Sequence, residues 1–265
     1  MQLDQNTLKH SWSQAIHAYH QTPLAEHYRF DATPAKLIEL QTIVRYLPDN
    51  GTLLDIGTGM AIIPRTLKLL GAKVISVDPP FSGTAAIDNA KLAGIETLIC
   101  DVTAERLPLP DASVDCILFA DVIEHLLHSP RTALTEFRRV LKPGGVCIAT
   151  TPNSVRLAVR LKVMLGWSNW PPLIDYYDEE RHHGHHHEYS PEEFRMAFER
   201  AGFSVAELLL HGTTHDVKTV SFERMAGGSR SQRGNPLIAL AKFPMGLLES
   251  LVPRLRRDML IVARA

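Results

Sequence analysis

Leu53-Leu54-Asp55-Ile56-Gly57-Thr58-Gly59-Met60-Ala61 is an apolar run that breaks into an Asp-x-Gly-x-Gly turn. Val74-Ile75-Ser76-Val77-Asp78 follows, a second apolar run that ends in a carboxylate. The first run reads as a buried parallel strand, and the turn as its exit into a helix that begins near Met60. Glycines at 57 and 59 let the backbone pass close to a ligand without interference from a Cβ. Asp78 lies about 20 residues downstream, the spacing at which an acid on a neighbouring strand reaches ribose hydroxyls. These features describe a nucleoside-binding edge on an open α/β sheet.

The dinucleotide fingerprint needs a third glycine three residues after the second, but Ile62 stands there and Pro64 follows. An acid at the head of the turn suits a positively charged ligand better than a pyrophosphate, which it would repel. Further segments arrive in order. Ile95 to Cys100 is a short apolar stretch that ends in Asp101-Val102, and Leu107 to Asp115 leads into the strand Cys116 to Ala120. That strand empties into Asp121-Val122-Ile123-Glu124-His125-Leu126. Arg139 to Gly145 then ends a helix and turns into the strand Val146 to Thr150. Pro143 cannot continue a helix, and glycine supplies the positive φ of a stop.

Five segments in this order, from about residue 50 to 153, resemble the class I S-adenosylmethionine-dependent methyltransferases, with Ala61 where many members carry a glycine. The resemblance implies a doubly wound, Rossmann-like, seven-stranded, mostly parallel sheet with helices on both faces. It further implies that Asp55, Gly57 and Gly59 line the methionine end of the cofactor. Asp78 would take the ribose hydroxyls and Asp101 with Val102 the adenine, with Pro79 and Ala120 beside them.

The chain has 265 residues, 45% of them hydrophobic, enough for one full core with an appendage. A formal net charge of −1 gives no electrostatic footprint for nucleic acid. No apolar run approaches the ~20 residues that span a bilayer, and the first residues lack the apolar core of a signal peptide. Cys100, Cys116 and Cys147 fall in or beside expected core strands, which suits free thiols in a reducing, cytoplasmic setting.

Residues 1–47 read as a helical cap, with Trp12, Ile16 and Tyr19 at helical spacing. Residues 48–265 form the catalytic domain, in which 153–189 replace a short crossover with a lid after the fifth strand. The lid opens on a basic helix, Val155 to Leu165, and continues through Trp167, Trp170, Pro171-Pro172, Tyr176 and Tyr177. Ser190 caps the next helix, with Pro191 at its first position. Gly202 ends that helix before a strand over Phe203 to Leu210. Asp258 to Ala263 is the last strand, which the resemblance inserts antiparallel. Residues 227–235 read as a flexible loop. The apolar and basic stretch 237–257 suits either core packing or a peripheral membrane contact, with Pro244 and Pro253 interrupting it.

Two features go beyond cofactor binding. A helix that starts just after the fourth strand would set Asp121, Glu124 and His125 on one face, able to hold a divalent cation such as Mg2+. A similar acid-x-x-Glu-His element holds metal in ubiquinone-pathway O-methyltransferases and small-RNA 2′-O-methyltransferases, where Glu stands first. In many other members the same element binds no metal and borders the cofactor. The second feature is Arg181-His182-His183-Gly184-His185-His186-His187-Glu188-Tyr189. One of its imidazoles would complete the cation site or serve as general base. His186 and His187 are preferred because they lie nearest the capped helix.

The reading is methyl transfer from S-adenosylmethionine to a hydroxyl of a small acceptor, a sugar or a secondary-metabolite intermediate. His125, His186 and His187 are the catalytic candidates, and Asp121, Glu124 and His125 the metal ligands. An N- or C-methyltransferase without metal is one alternative, and a non-catalytic cofactor- or partner-binding protein on the same scaffold is another. The oligomeric state stays open.

Overall fold

The computed structural model describes residues 4–27, 34–81, 84–169, 177, 184–213 and 236–265. Seven strands alternate with helices along the chain. The strands are β1 (Thr52–Ile56), β2 (Lys73–Asp78), β3 (Glu96–Ile99), β4 (Val114–Ala120), β5 (Leu141–Pro152), β6 (Ser204–His211) and β7 (Asp258–Arg264). The helices begin with α1 (Gln5–His20), α2 (Leu24–His27), α3 (Pro34–Tyr46), α4 (Ile62–Leu69) and α5 (Thr84–Leu92). They continue with α6 (Arg131–Val140), α7 (Leu157–Met164), α8 (Pro191–Arg200) and α9 (Pro236–Leu251).

Together the strands form one sheet in the order β3-β2-β1-β4-β5-β7-β6. Neighbours from β3 to β5 pair in parallel, whereas β7 runs antiparallel between β5 and β6. This is the expected doubly wound, mostly parallel sheet. The direction of winding reverses between β1 and β4, so a crevice opens at their carboxyl ends.

Each central strand sends alternate side chains to opposite faces, and both faces are covered. Leu54, Ile56, Ile117 and Phe119 face one core with Phe137, Phe194, Phe198 and Phe203. Leu53, Cys116, Leu118 and Ile148 face the other, beneath Trp12, Tyr19, Leu40, Ile43 and Leu67. The helices of the first 47 residues therefore supply much of the second core, with Tyr19 wholly buried and Ile16 packed at its margin. All three cysteines are buried and free.

Local chemistry accounts for the punctuation. Asp4 caps α1 by accepting from the backbone of Asn6 and Thr7 at 2.8 and 3.0 Å. At α8 the Ser190 hydroxyl accepts from Glu193 N at 3.3 Å and the Glu193 carboxylate accepts from Ser190 N at 2.8 Å, a reciprocal cap. Strand β5 begins at Leu141, before the Pro143-Gly144-Gly145 turn. Its register against β4 therefore shifts between Val114 and Cys116. A Cβ on Gly145 would come within 2.9 Å of the Lys142 carbonyl oxygen, so only glycine fits the irregularity.

Helix α7 lies inside the expected basic helix of the lid, and Trp167 just beyond it is 55% exposed. Trp170, Pro171, Pro172, Tyr176, the 181–183 end of the histidine run and the 227–235 loop lie outside the described residues. Pro244 does not interrupt α9, contrary to expectation: the helix runs through it, and Pro253 opens a separate 3-10 turn, Pro253–Leu255. A proline removes one backbone donor, which a helix of this length can lose without ending. Among the described residues no helix is long and apolar enough to cross a membrane.

Phe137 on α6 is fully buried, with its ring edge-on to Phe119 at 5.0 Å. Phe137→Ala is expected to cost about 3–5 kcal/mol through lost burial and the cavity left behind. Scanning calorimetry should show a thermal midpoint lower by roughly 10 °C; a fall under about 3 °C would contradict this account of the core.

Candidate active site

A cleft of about 410 Å³ opens at the carboxyl ends of β1, β2 and β4. Its floor is the glycine turn after β1. Gly57 has φ +80° and donates its N–H to the Val77 carbonyl at 2.8 Å, which ties the turn to β2. A Cβ on Gly57 would meet Val122 Cγ2 at 2.7 Å, whereas one on Gly59 would project into open space. Ala61 also takes a left-handed conformation, φ 53°, at the start of α4. A glycine would adopt it without the strain of roughly 1–2 kcal/mol that an L side chain carries there. Asn89 on α5 braces the turn by donating to the Met60 carbonyl at 2.8 Å.

The expected cofactor residues divide into two groups. Gly57, Gly59, Asp78, Pro79, Asp101 and Val102 all line the cleft. Asp78 is buried and accepts from Thr58 N at 3.2 Å and from the Thr58 hydroxyl. Burial pushes its carboxyl above the ordinary range against the pull of those hydrogen bonds. Asp101 accepts from the backbone and hydroxyl of Thr103 at 2.9 and 2.7 Å, a turn that fixes its side chain at the exit of β3. Asp55 and Ala120, by contrast, are not on the cleft wall. Asp55 is 3% exposed beneath the turn, where Ser76 Oγ donates to it at 3.4 Å. Burial first, then the neighbouring Asp78 charge, hold its carboxyl well above the usual range.

At the exit of β4 the expected helix is absent. Asp121 takes a left-handed conformation, φ 54°, followed by a single 3-10 turn, Ile123–His125. The spacing that would set Asp121, Glu124 and His125 on one helical face therefore does not apply. The physical reason is the set of partners that hold Asp121. Lys36 on α3 donates to it at 2.7 Å and the Thr150 hydroxyl on β5 at 3.0 Å. Desolvation pushes the Asp121 carboxyl up, but the Lys36 ammonium and these hydrogen bonds outweigh it and hold it below the ordinary value. Lys36 also pairs with the buried Glu39 at 3.0 Å. Burial, opposed by Lys36, leaves the Glu39 carboxyl at about 7.

Glu124 turns inward and is 1% exposed. Its Oε2 accepts from the Thr151 hydroxyl at 3.0 Å, while the buried Oε1 has no hydrogen-bond partner among the described residues. Burial, reinforced by the Asp121 charge, pushes its carboxyl up to about 7. Its backbone carbonyl accepts from His186 N at 2.7 Å and His187 N at 3.2 Å, which docks the histidine run on the strand exit. That docking brings in His185, a member of the histidine run outside the preferred pair, with the spacing His-x-x-Glu-Tyr to Glu188 and Tyr189. One ligand atom each from Glu124, His125 and His185 lie within 4.8 Å of one another. The two rings pack edge-on with centroids 4.8 Å apart. His185 Nδ1 lies 2.8 Å from Glu188 Oε1, and this hydrogen bond raises the imidazole pKa.

The preferred pair sits differently. His186 lines the cleft, and His187 packs its ring on Tyr189 at 4.6 Å. Lys36 and Thr151 escaped the sequence reading, and Thr58 and Glu188 fell inside its motifs without a role of their own. Only the His185-to-Glu188 interval, three residues apart, carried a local signal.

An orphaned carboxylate oxygen beside two imidazoles is a donor set that suits a divalent cation or a shared proton. Comparisons with known proteins agree with the fold. A family model described as a methyltransferase domain matches residues 25–208. The ubiquinone biosynthesis O-methyltransferase of Cereibacter sphaeroides is 38% identical over 109 residues, which cover 40% of this chain and 44% of that protein. The chain thus spans less than half the length of this curated relative. A solved SAM-dependent methyltransferase from Archaeoglobus fulgidus superposes with a TM-score of 0.59 at 18% identity, covering 91% of this chain and 97% of the other. The [4+2]-cyclase SpnF superposes with a TM-score of 0.56 at 16% identity, covering 96% of each chain. The same scaffold therefore carries a reaction named otherwise, and function must be argued from the site.

The raised carboxyl of Glu124 makes a prediction about stability. A native pKa of about 7 against an ordinary 4.5 means that the folded chain holds a proton which the unfolded chain releases. Its contribution is most favourable below the unfolded value and is lost as pH rises through 7. Denaturant titrations at pH 5 and pH 8 should show a loss on the order of 2 kcal/mol that Glu124→Gln removes. An unchanged slope in the variant would contradict the burial argument.

Proposed function

The chain belongs to the class I S-adenosylmethionine-dependent methyltransferase family, and from that premise we propose that it methylates a hydroxyl of a small acceptor with the help of a divalent cation. The observation that carries the reading is the buried Glu124 carboxylate, whose orphaned oxygen stands beside His185 and beside His125, a residue that lines the nucleoside cleft.

Gly57, Gly59, Asp78, Pro79, Asp101 and Val102 are the residues that would hold the cofactor. Gly57 and Gly59 keep side chains off the floor. Asp78, fixed by Thr58, would take the ribose hydroxyls, and Asp101, fixed by Thr103, the base. Asp55 acts from below as a support for the turn. When bound, S-adenosylmethionine supplies a methyl group on a sulfonium, an excellent leaving group, so the protein mainly aligns the acceptor and removes its proton.

Glu124, His125 and His185 are the residues that would hold a cation, and they fit one. A carboxylate with two imidazoles suits a borderline metal such as Mn2+ or Zn2+ better than it suits Mg2+. A cation there lowers the pKa of a bound hydroxyl. Asp121 is engaged with Lys36 and Thr150, so its part is to hold the strand exit rather than to bind. His186 lines the cleft and remains a candidate to accept the acceptor proton. The name of the relative, an O-methyltransferase, favours oxygen over nitrogen or carbon as the site of transfer.

Calorimetry with S-adenosylhomocysteine should show that Asp78→Ala loses at least about 100-fold in affinity, as expected when a buried polar contact is removed (roughly 3 kcal/mol). Wild-type affinity in that variant would overturn the cofactor assignment. Exhaustive chelation and His125→Ala should each abolish transfer to a panel of hydroxylated acceptors. Activity that survives both would leave the metal-free N- or C-methyltransferase as the better reading.

A further inference from the structure

Beyond the cation ligands stands a second row of side chains that connects them to the lid. Glu188 is largely buried, and its Oε1 sits 2.8 Å from His185 Nδ1. Its Oε2 accepts from Arg156 Nη1 at 2.7 Å. Arg156 in turn donates to the Asn153 carbonyl at 2.9 Å and stands at the start of α7. Asn153 is fully buried and donates to the backbone carbonyls of Arg254 and Arg256 at 3.0 and 2.8 Å. Rigid backbone on two sides therefore anchors the row.

An ionised carboxylate can only accept a hydrogen bond, so the nitrogen that faces Glu188 must carry a proton. His125 is arranged likewise, with its Nδ1 3.1 Å from the Gly184 carbonyl oxygen, another pure acceptor. In the neutral form of each imidazole these acceptors place the proton on Nδ1, which puts the lone pair on Nε2. Two rings with the same tautomer, packed edge-on beside an orphaned carboxylate oxygen, present two nitrogen donors and one oxygen donor.

We propose that Glu188 is the positioning residue of the cation site: held by Arg156, it fixes His185 in the Nδ1–H tautomer so that Nε2 serves as a ligand. The proposal rests on the cation reading given above and adds the start of α7 to it. Arg156 and Glu188 are 32 positions apart, so the ion pair ties the start of α7 to the histidine run. Histidine ligands are commonly oriented in this way, and loss of the orienting carboxylate typically costs 10–100-fold in metal affinity.

Glu188→Gln tests the idea with little change in shape. Arg156 still needs an acceptor and would claim the single amide oxygen. The amide NH2 then faces His185 and requires a lone pair on Nδ1. The tautomer reverses, and Nε2 carries the proton. In the full chain, calorimetric titration with Mn2+ alone should therefore show affinity reduced 10–100-fold by Glu188→Gln. Long-range 1H–15N spectra of the apo chain should show His185 as Nδ1–H in the wild type and Nε2–H in the variant. S-adenosylhomocysteine affinity should stay unchanged, which shows that the variant folds. A variant that binds Mn2+ as tightly as the wild type, or keeps the wild-type tautomer, overturns the proposal and leaves the cation reading intact. A wild type that binds neither Mn2+ nor Zn2+ overturns both.

Discussion

Gly57 and Val122 meet where two parallel strands leave the sheet, and the rest of the site depends on that approach. The chain after β1 turns toward α4 on one face, and the chain after β4 turns toward α6 on the other. Their separation opens the cleft, yet the two exits still touch where a methyl group of Val122 occupies the space that a Cβ on residue 57 would need. Any side chain at 57 would push the β4 exit outward. Glu124 and His125 follow Val122 by two and three residues, so such a shift would move the chemistry with it. The glycine turn after β1 and the exit of β4 are thus set against each other by a steric contact.

Much of the scaffold was legible because it obeys local rules. The runs at 53–56, 74–77 and 116–119 have the length and apolar continuity of strands buried on both faces, and the structure buries them so. Ser190, Pro191 and Glu193 announced a helix start, and a reciprocal cap is found there. Asp78 and Asp101 were placed by strand ends, which sequence spacing reads well. Asp121 shows where such reading stops. Its backbone is set by Lys36, 85 positions earlier in the chain, and Thr150, 29 positions later. No window centred on 121 contains either partner, so a regular helix was the reasonable expectation and a left-handed residue the outcome.

The histidine run failed for a different reason. Five imidazoles in six positions carry chemical capacity but no direction, because a loop has no period. Which ring turns inward depends on where the backbone docks. Here the Glu124 carbonyl takes the N–H groups of residues 186 and 187, so those two donate their backbone and residue 185 donates its ring. Glu188, three residues on, then secures the choice. The acidic partner was visible in the sequence, but its importance follows only from the docking.

Strand β6 joins the sheet through β7 alone, and β7 is drawn from residues 258–264, about fifty positions further on. Until that later segment is synthesised, the hydrogen-bonding edge of residues 204–211 has nothing to pair with, and the aromatic side chains of α8 lack part of their cover. The sheet is therefore built in two stages along the chain, a parallel half from residues 52–152 and an antiparallel closure from 204–211 and 258–264. The cofactor floor belongs to the first stage. Asn153, which precedes α7 and donates to the carbonyls of Arg254 and Arg256, is secured only in the second. The glycine turn and the footing of α7 thus draw on parts of the chain that lie far apart in sequence.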